Sequence, residues 1–383
     1  MKSLSSLLLV SLTIGVATPL VARSRVPVAA WPGVSDVLLN VNVAAPAAAV
    51  AWPWDSEEPG SVIVFPKFRT GFEHGDVVST VPRTRFAISV VCPEGDEAYC
   101  ASNPTITMKA QWVCPGDNSG IAGAGVCKES DFHLTATING TVTFGTDDQT
   151  SSSGDVLAAP LCERGYLIVW VVDNKISENP IKFDGLIGHS VHNGELGDWT
   201  YLGIPIQAAD AIVSTGDPTA ADVGGALAFD DSHYRAITGT VFGSIRYQQT
   251  EGVRVTPTYD TDLIFLTLDV VSGSLNEPTY VALDFYNEKE EGPISVTPHF
   301  TCWSEERRIE DLNEELDYDF GFAGFVRGRA TAQDLTTPRT LIAVVETREE
   351  TTIFGDNTKY AYTLFNNSAP VQTTFVPATA VVH

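Results

Sequence analysis

Basic residues are scarce in this chain: 23 Lys and Arg stand against 48 Asp and Glu among 383 residues, a formal net charge of −25. A field of that sign repels phosphate backbones and anionic headgroups, so no nucleic-acid partner is expected. No cysteine precedes Cys92, which excludes lipid attachment at a new N-terminal cysteine. Beyond the N-terminus no apolar run reaches the roughly 18 residues that a bilayer crossing needs, so no membrane span is expected. Signatures of chemistry are missing as well. There is no Gly-x-Ser-x-Gly elbow, no glycine-rich phosphate cradle or dinucleotide fingerprint, and no Asp-x-Asp-x-Asp-Gly calcium loop.

What the chain does carry begins with Lys2 and the apolar run LSSLLLVSLTIGVATPLVA. The pattern reads as a secretory signal peptide over residues 1–22, cleaved after Ala17 or Ala22, and places the protein outside the cell or in the periplasm. Residues 23–59 form an Ala-, Pro- and Val-rich leader with Trp31, Trp52 and Trp54, which reads as a tether. An alternative role follows from SDVLLNVNV at Ser35, a strand-like piece suited to pairing with an open sheet edge of another subunit or a surface protein.

Six cysteines in an exported chain read as disulfides, because that compartment is oxidising. They are Cys92, Cys100, Cys114, Cys127, Cys162 and Cys302. Sequence leaves the pairing open. The short-loop choice joins Cys92 to Cys100 and Cys114 to Cys127, and leaves Cys162 for Cys302.

The hydrophobic fraction of 44% and charged fraction of 19% are those of a folded protein, and the apolar residues alternate with polar ones over short segments broken by Gly, Pro, Asn and Asp. In TITMKAQWV, Ile106, Met108, Ala110 and Trp112 share one face; in YVALDFYN, Val281, Leu283 and Phe285 do. LIVWVV is apolar on both faces and reads as a central strand. Only EERRIEDLNEELDYD from Glu305 has helical spacing, through Ile309, Leu312 and Leu316.

Two halves of the chain also match in order. GSVIVFPKF at Gly60 lies over GTVFGSIRY at Gly239, with Lys67 over Arg246, and Phe86 of RFAISVV lies over Phe265 of LIFLTLDVV. CKESDF at Cys127 then faces CWSEER at Cys302, and GYLIVWVV faces TLIAVVE. The expected fold is all-β, with two tandem, internally duplicated immunoglobulin-like β-sandwich domains over residues 60–208 and 226–383, joined by a linker at 209–225.

PLCERGYLIVWVVD, PIKFDGLIGHSV, AITGTVFGSIRY, TDLIFLTLDV and FTCWSE together resemble segments of a group of uncharacterised exported β-rich proteins of proteobacteria. The resemblance covers most of the chain after residue 60. It implies a secreted β-rich protein and carries no activity or site.

Candidate ligand residues are few. Calcium wants six to eight oxygen ligands, and the acidic pairs Asp147 with Asp148, Asp230 with Asp231, Asp260 with Asp262 and Asp317 with Asp319 supply at best part of a site. His189 and His192 with Glu195 are of types that zinc takes, but strand residues three apart point to opposite faces. No catalytic residue or bound cofactor is assigned. The expected role is non-catalytic: structural, binding or surface assembly. The alternatives are an extracellular hydrolase built on the sandwich, or a glycan-binding module with an aromatic row on one sheet.

Overall fold

A computed structural model describes residues 58–70, 83–115, 127–194, 197–209, 227–229, 233–237, 239–246, 258–268, 277–287, 293–306, 312, 323–353 and 356–364. The segments read as signal peptide and leader, up to residue 57, the segment read as a linker from residue 210, and Asp230, Asp231, Glu195, Asp317 and Asp319 lie outside them.

The first half contributes β1 (Val62–Arg69), β2 (Arg83–Val90), the short helix α1 (Glu97–Ser102), β3 (Thr105–Cys114) and β4 (Lys128–Thr137). It continues with β5 (Thr141–Gly145), β6 (Arg164–Val172), β7 (Leu186–Gly194), β8 (Gly197–Leu202) and β9 (Ile204–Ile206). The second half contributes β10 (Thr240–Arg246), β11 (Thr258–Leu266), β12 (Thr279–Asn287), β13 (Ile294–Val296) and β14 (His299–Phe300). It ends with β15 (Trp303–Glu306), β16 (Ala323–Thr331), β17 (Ile342–Ile353) and β18 (Asp356–Leu364).

These strands pair into four antiparallel sheets. Sheet I has the order β5-β2-β7-β8 and sheet II the order β4-β3-β6-β1-β9. Sheet III runs β15-β11-β17-β18, and sheet IV runs β10-β16-β12-β13 with β14 also on β12.

Period-two alternation fixes how the sheets stack. Ile63, Phe65, Met108, Trp112, Leu167 and Val169 of sheet II pack with Phe86, Ile88 and Leu186 of sheet I. The other face of sheet II, with Val62, Val64, Ile168 and Trp170, packs on Ile264, Leu266, Ile342 and Val344 of sheet III. Leu263, Phe265, Ala343 and Val345 on the far side of sheet III meet Val281, Leu283 and Phe285 of sheet IV. Four layers thus follow one another in the order I, II, III, IV. Sheet II is covered on both faces, which explains why β6 is apolar throughout.

The strand alternations read from the sequence appear as written. Ile106, Met108, Ala110 and Trp112 are buried together, as are Val281, Leu283 and Phe285. Two pairings of segments differ, the first being that CKESDF leads into β4 of sheet II whereas CWSEER holds β15 of sheet III. GYLIVWVV forms β6, inside the five-stranded sheet II, whereas TLIAVVE enters β17 of the four-stranded sheet III. In sheet order, β6 stands where β16 stands, and β7 where β17 does. The helical reading from Glu305 also needs correction at its start. Glu305 and Glu306 belong to β15, because Trp303–Glu306 pairs with Leu263–Leu266 of β11; apart from Leu312, the rest of that segment lies outside the described residues.

All six cysteines form disulfides, but two pairs differ from the short-loop choice. Cys92 bonds Cys100 across α1, Cys114 bonds Cys162, and Cys127 bonds Cys302, with Cα separations of 6.1, 5.8 and 6.3 Å. Cys114 closes β3 and Cys162 precedes its neighbour β6, so strand pairing brings them together. The bond that joins the halves starts from Cys127 rather than Cys162. Among the described residues no helix is long and apolar enough to cross a membrane.

A buried charge cluster between the two halves

β1 begins in strict alternation, with Val62 and Val64 towards sheet III and Ile63 and Phe65 towards sheet I. Unbroken, that alternation would send Lys67 into the apolar space beside Phe65. Its register against β6 shifts between Phe65 and Phe68, and the bulge contains Pro66, which has no N–H to give the ladder. The extra residue turns Lys67 to the sheet III side while Phe68 stays in the first core. The Trp303 indole N–H donates to the Pro66 carbonyl at 2.8 Å, anchoring the bulge to sheet III.

Sheet III meets Lys67 with three carboxylates. Asp262 and Glu346 are direct cross-strand partners on β11 and β17, and Glu305 sits on the adjacent β15. They share the face that carries Ile264, Leu266, Ile342 and Val344, at one end of it. One oxygen from each lies within 4.8 Å of the others. The Lys67 ammonium fills the gap: Nζ is 2.5 Å from Glu305 Oε1 and 2.6 Å from Glu346 Oε2. Lys67 is 1% exposed, and the Glu305 and Glu346 side chains 0% and 3%.

Arg69 Nη2 donates to Glu305 Oε1 at 3.1 Å and Arg164 Nη1 to Oε2 at 3.3 Å, so both Glu305 oxygens are paired. Arg164 also lies over the Trp303 ring, 5.9 Å from its centroid. The Tyr201 hydroxyl donates to Glu346 Oε2 at 2.6 Å. Three cations thus balance three anions in the layer between sheets II and III. Burial alone would raise the Glu305 carboxyl, but Lys67, Arg69 and Arg164 outweigh it and hold it far below the usual carboxylate range.

His192 borders the cluster from β7. Its ring packs edge-on to Tyr201 with centroids 4.8 Å apart, Nδ1 is 3.2 Å from Thr84 Oγ1, and Nε2 is 3.3 Å from Ser190 Oγ. Burial pushes its pKa well below the ordinary histidine value, and Lys67 and Arg69 push the same way. His189 points to the exposed side of the same strand, so the two histidines do not converge. His192 is a core residue of β7.

The remaining acidic candidates have separate fates. Asp147 pairs with Arg83 at 2.8 Å, and Asp148 accepts the Gly145 N–H at 2.7 Å. Asp260 lies on β11 with its side chain outside the described residues. Asp262 alone joins a cluster, in company the sequence did not indicate. A metal reading of Asp262, Glu305 and Glu346 meets an obstacle, since the ammonium of Lys67 already pairs with Glu305 and Glu346.

Ser190 and His192 are residue types that can form a nucleophile and base, yet they are 0% and 1% exposed. The surface has a shallow cavity lined by Lys109, Gln111, Ser177 and Glu178 above Trp170, where Lys109 donates to Glu178 at 2.7 Å. Neither place presents an activated nucleophile to solvent. Neither a protein-family model nor a curated protein matches the sequence.

Proposed function

We propose that the chain is an exported, non-catalytic β protein whose two internally duplicated immunoglobulin-like sandwiches act as one stiff unit, in a structural, binding or surface-assembly role. The carrying observation is the Lys67–Glu305–Glu346 cluster. The principal polar constellation of the described residues is buried between the halves, and its Lys67 ammonium and Glu305 carboxylate are paired by the chain's own side chains, as in a staple, with Arg69 Nε left without a partner. Matching strand orders support the duplication: β5-β2-β7-β8 against β15-β11-β17-β18, and β4-β3-β6-β1 against β13-β12-β16-β10. The match supports a division into two domains, which we propose near 60–208 and 226–383. Three disulfides agree with an oxidising compartment.

The test is unfolding of the mature chain together with assays on generic ester, peptide and glycoside substrates. One cooperative transition and no turnover are expected. Hydrolysis that disappears in Ser190→Ala would replace this reading with the hydrolase one.

A glycan-binding reading has one observation of its own. On the outer face of sheet IV the Tyr286 and Phe325 rings stack with centroids 4.7 Å apart, and Tyr280 stacks on His299 at 5.3 Å, all half-buried. Exposed Arg327 and Arg329 lie on the neighbouring strand. Aromatic faces of this kind accept sugar rings. Loss of polysaccharide retention in Tyr286→Ala would support it; retention equal in both proteins would remove it.

A further inference from the structure

Lys67 and Glu346 are an amine and a carboxyl held in contact away from water, which are the two halves of an amide. Lys67, Glu305 and Glu346 are held away from water, which is unfavourable for each ion, while Arg69 and Arg164 stay part-exposed. Condensation would remove one cation and one anion together, leaving Arg69 and Arg164 balanced by Asp262 and Glu305. We propose that Lys67 Nζ and Glu346 Cδ condense to a side-chain amide that covalently joins β1 of the first half to β17 of the second.

The neighbouring groups divide the work. Glu305 is a poor electrophile, because Arg69 and Arg164 occupy its two oxygens and stabilise the anion. Glu346 is the better one: Tyr201 donates to the same Oε2 that Lys67 approaches, so the hydroxyl stabilises the charge that grows on that oxygen during attack. Asp262, directly across the ladder from Glu346 and with a carboxylate oxygen within 4.8 Å of those of Glu305 and Glu346, is the carboxylate to which the proposal gives the proton-carrying role.

The step balances without a co-reactant. The Lys67 ammonium gives one proton to Asp262, and its freed electron pair attacks Glu346 Cδ while the carbonyl π pair moves onto Oε2. The nitrogen then loses a second proton, Oε1 collects both protons and leaves as water, and the pair on Oε2 re-forms the carbonyl. One N–C bond forms, one C–O bond breaks, and the net charge of the pair is zero before and after.

Mass spectrometry of the purified, reduced and denatured chain tests this. Beside a Lys67→Arg chain prepared identically, so that leader processing cancels, the native chain should be lighter by one water beyond the substitution. Its digest should hold a branched peptide joining Lys67 to Glu346. Asp262→Asn should leave mainly unlinked chain, and a fully linked Asp262→Asn chain would overturn its role as proton carrier. A native chain at its full sequence mass, with Lys67 and Glu346 in separate linear peptides, overturns the bond itself, as does a water loss mapped elsewhere. The native protein alone supplies that reading, so it stands even where a variant fails to fold.

Discussion

Lys67 on β1 and Glu305 on β15 belong to different halves of the chain, yet their charged atoms meet at 2.5 Å in a layer closed to solvent. Removing the acid leaves Lys67, Arg69 and Arg164 short of one counter-charge. Glu305→Gln is therefore expected to cost about 3 kcal/mol, the lower end for breaking a buried pair, because the two arginines are part-exposed and regain water. Arg164→Gln, which removes the more exposed partner, should cost roughly 0.2–1 kcal/mol. Chemical denaturation of both variants checks the contrast, and equal losses would mean that the Glu305 charge is not the feature that matters.

The pH dependence follows from His192 and Glu305. His192 stays neutral in the folded protein while the unfolded chain takes up its proton below an ordinary value of 6.5. Its contribution is complete above that pH and falls as pH drops, by up to about 1.4 kcal/mol per pH unit. Glu305 is held as an anion, so its contribution is complete above an ordinary value of 4.5 and is lost below it. Unfolding curves between pH 6.5 and 4.5 should slope in the native protein and flatten in His192→Gln. A slope unchanged in that variant would assign the effect to other groups.

Much of this fold was legible locally. Alternation in β3 and β12 and the two-sided apolarity of β6 put the right residues in the right cores, because each signal is complete within one strand. The charge cluster was not legible, for identifiable reasons. Lys67 stood out only as the counterpart of Arg246, and Pro66, the one local sign of a bulge, does not reveal which way the next side chain turns. Glu305 carries helix-like spacing on its C-terminal side, which the pairing of β15 with β11 overrides. Glu346 ends the apolar run TLIAVVE, and nothing next to it in the sequence marks a buried charge. Their meeting depends on contacts more than two hundred residues apart in sequence, as the 279-residue separation of Lys67 and Glu346 makes plain. Disulfide pairing failed similarly, since loop length favoured Cys127 with Cys114 while sheet stacking favoured Cys302.

Tyr166 offers a probe of the layer between the halves that avoids charge. Its hydroxyl donates to the Thr267 carbonyl at 2.9 Å, from β6 to the end of β11, with both residues buried. Tyr166→Phe keeps the ring and removes one hydrogen bond, so a loss of about 1 kcal/mol is expected. If the halves unfolded one after the other, that loss would appear in the first unfolding step alone, because a bond between them breaks as soon as either half unfolds. Calorimetry of the variant therefore reports on whether the layers II and III melt together.

The Cys127–Cys302 bond spans 175 residues and ties sheet II to the strand that carries Glu305, whereas Cys92–Cys100 spans 8. In the chain-entropy account a crosslink stabilises by restricting the unfolded chain, and the restriction grows with the logarithm of the loop. Between these two loops the account gives a difference of about 2–3 kcal/mol in favour of the longer one. The double variant Cys127→Ala, Cys302→Ala should thus lose more stability than Cys92→Ala, Cys100→Ala when both are unfolded by denaturant without reductant. The sign is informative in either direction. A larger loss for the short loop would mean that the bond across α1 holds native packing around Tyr99 and Phe183, whose rings lie 5.9 Å apart, and that the long bond adds little to halves already joined through their shared core.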